Sequence, residues 1–262
     1  MKWTSNNKER NEKMHLLSGV RYAHRGLYNN PSIPENSRMA FRRAVQKGFG
    51  AELDVHLLSD GTLAVMHDSL LKRMTGKEGV IEDCTYEDLS SLYLSGTTET
   101  VPTFQDVLQI FQGKMPLIIE LKTYNSNDAA LTQAVCKVLD DYAGLYCLES
   151  FDPQVLVWLR KNRPDIIRGQ LSMDFIKERG DLTLPQAIIM THLLHVFIVR
   201  PDFIAYRFKD RKKLGNRFCL RVLGIQGVSW TLRKPGEVTI AEREGLWPIF
   251  ENKKVPKTVN KL

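Results

Sequence analysis

The sequence predicts a closed (β/α)8 barrel, and three observations carry that expectation. Short apolar runs alternate with amphipathic stretches along the chain, the pattern of parallel strands joined by crossover helices. Eight core strand runs fit within the 262 residues, which suits a closed barrel better than an open sheet. The first run ends in His24-Arg25-Gly26 with no second or third glycine nearby, whereas an open doubly wound sheet usually carries a Gly-rich phosphate turn there.

Val20 to Ala23 reads as the first strand. A helix follows from about Asn36, with Met39, Ala40, Phe41, Ala44 and Val45 on one face, and stops at Gly48. Ala51 to Leu58 reads as a strand, Asp60-Gly61 as a two-residue turn, and Leu63 to Met66 as the returning partner. Pro116 to Leu121 is a buried strand between helices expected at Thr103 to Gln112 and Asp128 to Tyr142. Further strands are expected at Leu145 to Phe151, Ile166 to Leu171, Phe203 to Tyr206, Val228 to Leu232 and Trp247 to Phe250. With no repeat and no long linker, one domain is expected over 19–252, with an insertion at about 68–102. A polar extension (1–18) precedes it and a basic tail (253–262) follows.

Hydrophobic residues make up 43% and charged residues 26%, which excludes a wholly disordered chain. The first thirteen residues are polar, which argues against a secretory signal. The apolar stretch Ala187 to Val199 is too short for a bilayer and carries His192 and His195. Cys84, Cys136, Cys147 and Cys219 show no metal-ligand spacing and read as reduced thiols, so a cytoplasmic setting is expected. The net charge of +7 is concentrated in two late segments, 207–217 with +5 and 252–262 with +4, and the remainder is slightly acidic.

Barrel enzymes carry their chemistry at the carboxyl ends of strands. Those ends supply His24 and Arg25, then Glu52 and Asp54, then His67 and Asp68, then Glu120 and Lys122. Strand alternation puts Glu52, Asp54 and His56 on one face. Two acids inside a small barrel repel unless neutralised, and a hard divalent cation, Mg²⁺ or Ca²⁺ before Zn²⁺, is the simplest neutraliser. Glu120, inside the otherwise apolar PLIIEL, is the natural third ligand. Lys122 as a salt-bridge partner of Glu120 and Arg25 as a structural clamp are the plainer alternatives, and His56 reads as a buried hydrogen-bonded histidine.

His24-Arg25-Gly26, Pro34-Glu35-Asn36-Ser37, Glu52-Leu53-Asp54-Val55, Asp60-Gly61, His67-Asp68, Thr75-Gly76, Pro102-Thr103-Phe104 and Glu120-Leu121-Lys122 occur in that order. With these motifs, and later Ser150-Phe151 and Trp230-Thr231, the sequence resembles the glycerophosphodiester phosphodiesterases. The resemblance implies a metal-dependent phosphodiesterase barrel that releases glycerol 3-phosphate and an alcohol. It implies one divalent cation on Glu52, Asp54 and Glu120, with His24 and His67 as the acid/base pair. Arg25 and Lys122 would bind phosphate oxygens, Asn36 would order the metal–phosphate centre, and Trp230 would line the substrate mouth. The insertion between the second and third barrel strands would cap the site.

One imidazole would remove a proton from the attacking hydroxyl, of water or of the substrate's glycerol, and the other would protonate the departing alcohol. A lysophospholipid or phosphatidylglycerol substrate is the enzyme alternative, and a non-catalytic phosphate-binding barrel a third. Ser37 stands where that family usually has Thr, and Trp247 to Asn252 lacks the Thr-Asp-x-Pro element that usually closes its last strand.

The partner expected is a small glycerophosphodiester, with no obligate protein partner. The stretch Leu184 to Val199 is expected as a barrel helix packed on its sheet, an interfacial helix being the alternative. The basic run Arg207 to Arg217 admits peripheral contact with anionic lipid, and without interleaved aromatics it speaks against nucleic acid.

Overall fold

The computed structural model describes residues 8–251, so the expected basic tail lies outside the described residues. The elements in the first half are α1 (Lys8–Ser18), β1 (Tyr22–His24), α2 (Arg38–Gln46), β2 (Gly50–Leu57), β3 (Leu63–Val65), α3 (Lys72–Thr75), α4 (Tyr86–Ser90), α5 (Phe104–Phe111), β4 (Leu117–Leu121) and α6 (Asp128–Leu139). The second half adds β5 (Tyr146–Ser150), α7 (Pro153–Asn162), β6 (Arg168–Ser172), α8 (Leu184–His192), α9 (Val196–Val199), β7 (Phe203–Arg207), α10 (Leu214–Arg221), β8 (Gln226–Leu232), α11 (Pro235–Arg243) and β9 (Trp247–Phe250). All nine strands belong to one sheet in the order β1-β9-β8-β7-β6-β5-β4-β2-β3, with β1 also paired to β2. That is the strand order of a (β/α)8 barrel with β3 added as an antiparallel partner of β2.

Two compact units make up the chain. In the first, Val20–Tyr146, α2 starts where the Ser37 hydroxyl accepts from the Ala40 N–H at 3.1 Å and donates to Pro34 O at 2.7 Å. The residue that replaces the usual Thr therefore keeps the capping hydroxyl. Ala40, Phe41 and Ala44 bury the inner face of α2, and Lys47-Gly48 ends it. Gly50 opens β2 because nothing larger fits: a Cβ would lie 2.7 Å from Pro116 O and 2.8 Å from the Tyr22 ring. The insertion has its own small core, with Leu71, Met74, Ile81, Leu89 and Leu94 packed on Leu58, Ala64 and Met66.

The second unit runs from Cys147 onward and takes in the N-terminal helix. Residues 8–18, expected only as polar extension, form α1. Arg10 Nε donates to Asp202 Oδ1 at 2.8 Å, Arg10 Nη2 also pairs with Asp202, and the guanidinium caps the carbonyls of Pro164 and Ile166.

The apolar stretch expected as one helix is broken instead. Leu193 takes a left-handed conformation, φ 56°, and separates α8 from the single turn of α9. Leu193, Val196 and Val199 are buried while Ile188, Phe197 and Ile198 are exposed, so the break turns only part of the stretch inward.

Candidate active site

Strand register assembles the cluster. In the parallel β1–β2 pair His24 lies opposite Glu52, and in the β2–β4 pair Asp54 lies opposite Glu120. Alternation along β2 sends Leu53 and Val55 to the other face from Glu52, Asp54 and His56. Glu52, Asp54 and Glu120 are all buried, with one oxygen from each within 4.8 Å of the others.

Backbone at the end of β1 brings the remaining groups in. Arg25 and Asn36 adopt positive φ, and the Asn36 N–H donates to Arg25 O at 2.9 Å. Gly26, at φ 78°, is required twice over. Its conformation disfavours a side chain, and a Cβ would come within 2.9 Å of Ala40 Cβ on α2. The turn lets Asn36 Nδ2 donate to Asp54 Oδ2 at 2.8 Å and the Arg25 N–H donate to Glu52 Oε2 at 3.0 Å.

Both expected phosphate-binding cations are engaged within the cluster. Lys122 Nζ lies 2.7 Å from Glu120 Oε1 and 2.9 Å from Asp54 Oδ1. Arg25 Nη1 donates to Glu35 Oε1 at 2.6 Å, and its Nε is 3.7 Å from Asp54 Oδ2. His24 Nε2 lies 3.7 Å from Glu52 Oε2. His67 shares a 2.6 Å hydrogen bond between Nδ1 and Asp68 Oδ1.

Arg73, from the insertion, ties two of these groups together. It donates from Nη2 to Glu35 Oε1 at 2.8 Å and from Nε to Asp68. Glu35, Asp68 and Arg73 thus form a supporting ring that sequence reading did not assign roles. Glu35 and Asp68 lie within the Pro34-Glu35-Asn36-Ser37 and His67-Asp68 motifs, but Arg73 carries no sequence signal.

The electrostatics follow from crowding acids in a buried place. Burial raises the Glu120 carboxyl to about 7, with Asp54 adding to the rise and Lys122 opposing it. Burial also works against an ionised Asp54, yet Lys122, His67, Arg25 and the Asn36 bond hold it well below the usual carboxylate range. Burial lowers His67 to about 4, helped by Lys122 and Arg25 and resisted by Asp54 and Asp68. Asp68 is held low by Arg73 and His67 against the effect of burial, so it is an ionised acceptor. The proton between Asp68 and His67 therefore sits on Nδ1, leaving the lone pair on Nε2.

Three carboxylates make a hard, all-oxygen donor set, and Asn36 Oδ1 is buried there without a hydrogen-bond partner. This set suits a hard divalent cation. His56, by contrast, is buried with Nδ1 bonded to Glu82 Oε1 at 2.7 Å, a tie between β2 and the insertion. Trp230 belongs to the other unit. There it stacks edge-on to Phe151 at 5.7 Å and donates from Nε1 to Ala205 O at 3.1 Å. At the chain's departure from the usual last-strand element, β9 is buried and Glu251 pairs with Arg233 at 2.9 Å.

Comparison with known proteins supplies the family context. The model of the Glycerophosphoryl diester phosphodiesterase family matches residues 24–253. A glycerophosphodiester phosphodiesterase of Bacillus altitudinis is 32% identical over 168 residues, covering 60% of this chain and 68% of that protein. One from Caldanaerobacter subterraneus is 29% identical over 202 residues, covering 73% and 82%. Among solved structures, an Oleispira antarctica phosphodiesterase in complex with the product sn-glycerol-3-phosphate superposes with a TM-score of 0.72 at 21% identity. That match covers 89% of this chain and 93% of the other.

Proposed function

This chain belongs to the glycerophosphoryl diester phosphodiesterase family, phosphoric diester hydrolases, and from that premise we propose how it works: it hydrolyses a glycerophosphodiester to glycerol 3-phosphate and an alcohol at the Glu52–Asp54–Glu120 cluster. The observation that carries the reading is the meeting of three buried carboxylates with two imidazoles at the ends of adjoining strands. The glycerol 3-phosphate bound to the Oleispira antarctica relative supports the same substrate class.

Glu52, Asp54 and Glu120 would hold the cation, Mg²⁺ or Ca²⁺, with Asn36 orienting Asp54. When bound, the ion supplies positive charge that screens the phosphodiester and its transition state. Arg25 and Lys122 donate to the phosphate oxygens from positions already fixed by their acidic neighbours. His67, oriented by Asp68, takes a proton on Nε2 from the attacking water as its oxygen bonds to phosphorus. The P–O bond to the alcohol breaks as His24, entering the step protonated, donates its proton to the departing oxygen, and the proton taken up by His67 is passed through solvent to restore His24. The four cysteines carry free thiols, which supports the expected cytoplasmic setting.

Glycerol 3-phosphate release from glycerophosphocholine and glycerophosphoethanolamine tests the reading. Activity should vanish with chelator and return with Mg²⁺ or Ca²⁺. Turnover that survives chelation, or that persists in Glu120→Gln, would overturn the centre. Lysophosphatidylcholine and phosphatidylglycerol assayed alongside decide the second reading, a phospholipase-type substrate.

A further inference from the structure

Exposed apolar side chains are unevenly placed. Of the fifteen large hydrophobic residues that stand exposed among the described residues, ten fall between Ile176 and Val222. On α10 and its C-cap residue, Leu214, Phe218 and Val222 recur every four residues and line one edge, with Leu214 73% and Val222 68% exposed. Arg217 and Arg221, also exposed and four apart, line the neighbouring edge. Leu184 and Ile188 stand out from α8, and Phe197 and Ile198 from α9.

These helices form one layer. A Cβ on Gly215 would lie 2.1 Å from His192 O, so α10 touches the end of α8 backbone to backbone. Leu193, Val196 and Cys219 share one buried cluster, which fixes α9 beside α10. The outward apolar side chains of three short helices thus stand on a common support.

The charges beside them are strongly biased. Arg207 and Lys209 pair with Glu178, and Arg211 pairs with Glu244, whereas Lys212, Arg217 and Arg221 are exposed on the α10 side of the layer. A row of apolar side chains parallel to a row of arginines is the pattern of a helix lying in a membrane interface.

We propose that the α8–α9–α10 layer docks on an anionic lipid surface. Leu214, Phe218 and Phe197 enter the acyl boundary, and Arg217, Arg221 and Lys212 meet the lipid phosphates. Charge complementarity selects this occupant. A second copy of the chain would bring its own arginines to the same contact, where like charges repel, while lipid phosphates neutralise them. Among the described residues no helix is long and apolar enough to cross a membrane, so the contact is peripheral. The inference stands whether or not the substrate assignment above holds.

Co-sedimentation of the full chain with vesicles tests it. The protein should bind equimolar phosphatidylcholine–phosphatidylglycerol vesicles, bind phosphatidylcholine alone poorly, and lose affinity as salt rises. The pair R217E/R221E should weaken binding roughly tenfold or more. The triple change L214Q/F218Q/V222Q should abolish it while glycerol 3-phosphate release from glycerophosphocholine is unchanged. Should the triple variant fail to fold, Phe218→Gln alone serves, its circular dichroism compared with the parent. No binding to anionic vesicles, or binding that ignores both sets of changes, would overturn the proposal. So would a dimer in analytical ultracentrifugation that the triple change dissociates without any vesicle binding.

Discussion

The unit Val20–Tyr146 stands out for the acids it gathers into one buried cluster, whereas the unit from Cys147 stands out for the apolar side chains it exposes. The first buries Glu35, Glu52, Asp54 and Glu120 in a lattice closed by Arg25 and Lys122. The second exposes Leu214, Phe218 and Val222 to water. Each arrangement is unfavourable on its own terms, since buried charge loses hydration and exposed apolar surface orders solvent. The difference teaches that one fold can separate chemistry from attachment by placing the two kinds of unfavourable surface in different stretches of chain.

Removing a proton carrier gives the largest expected effect. His67→Ala should lower kcat/KM by roughly a hundred- to ten-thousandfold while thermal stability holds, measured by glycerol 3-phosphate release and by calorimetry. Equal activity would remove His67 from the chemistry and leave the interior ions without a catalytic reason.

Lys122→Met follows. It leaves Asp54 and Glu120 without their shared ammonium, so it should lower unfolding free energy by about 3–5 kcal/mol in urea titration without divalent cation. Added Mg²⁺ should recover most of that loss. A variant as stable as the parent would mean that the buried carboxylates need no cation.

Arg73→Ala comes third. It touches no metal ligand but holds Glu35 and Asp68. A fall in kcat of about a hundredfold or less, with KM little changed, is expected from misplacing His67. Arg73→Lys should restore little, because one ammonium cannot reproduce both bonds of the guanidinium.

The smallest effect belongs to the other unit. Burial opposes an ionised Asp174, but the bond to Lys213, at 2.6 Å, holds its carboxyl below the ordinary range. Because folding lowers this pKa, its stabilisation is complete above the unfolded-state value of about 3.9 and is lost as pH falls below it. Asp174→Asn should lower Tm at neutral pH and flatten the acid limb of the Tm–pH curve.

Much of the interior unit was legible in sequence because alternation is local. Glu52, Asp54 and His56 could be put on one face from period two alone, and Glu120 stood out as the acid in PLIIEL. Register then converted those positions into contacts, His24 to Glu52 and Asp54 to Glu120. Arg73 was not legible, because its partners lie 5 and 38 residues away and nothing periodic connects them. The break at Leu193 was hidden for the opposite reason. An unbroken apolar run gives no sign of where a non-glycine residue will enter the left-handed region. The outward turn of Phe197 and Ile198 follows from that break, so the exposed face could be suspected from composition but not drawn.

Gly26 imposes a constraint on descent. Any replacement must both tolerate φ 78° and push Ala40, and with it the start of α2, away from β1. Asn36 and Ser37 sit just ahead of that helix, so the disturbance would reach the Asn36–Asp54 bond within one turn of chain. A lineage can exchange exposed arginines one at a time, but it can leave this glycine only by rebuilding the loop, the helix and the acid together.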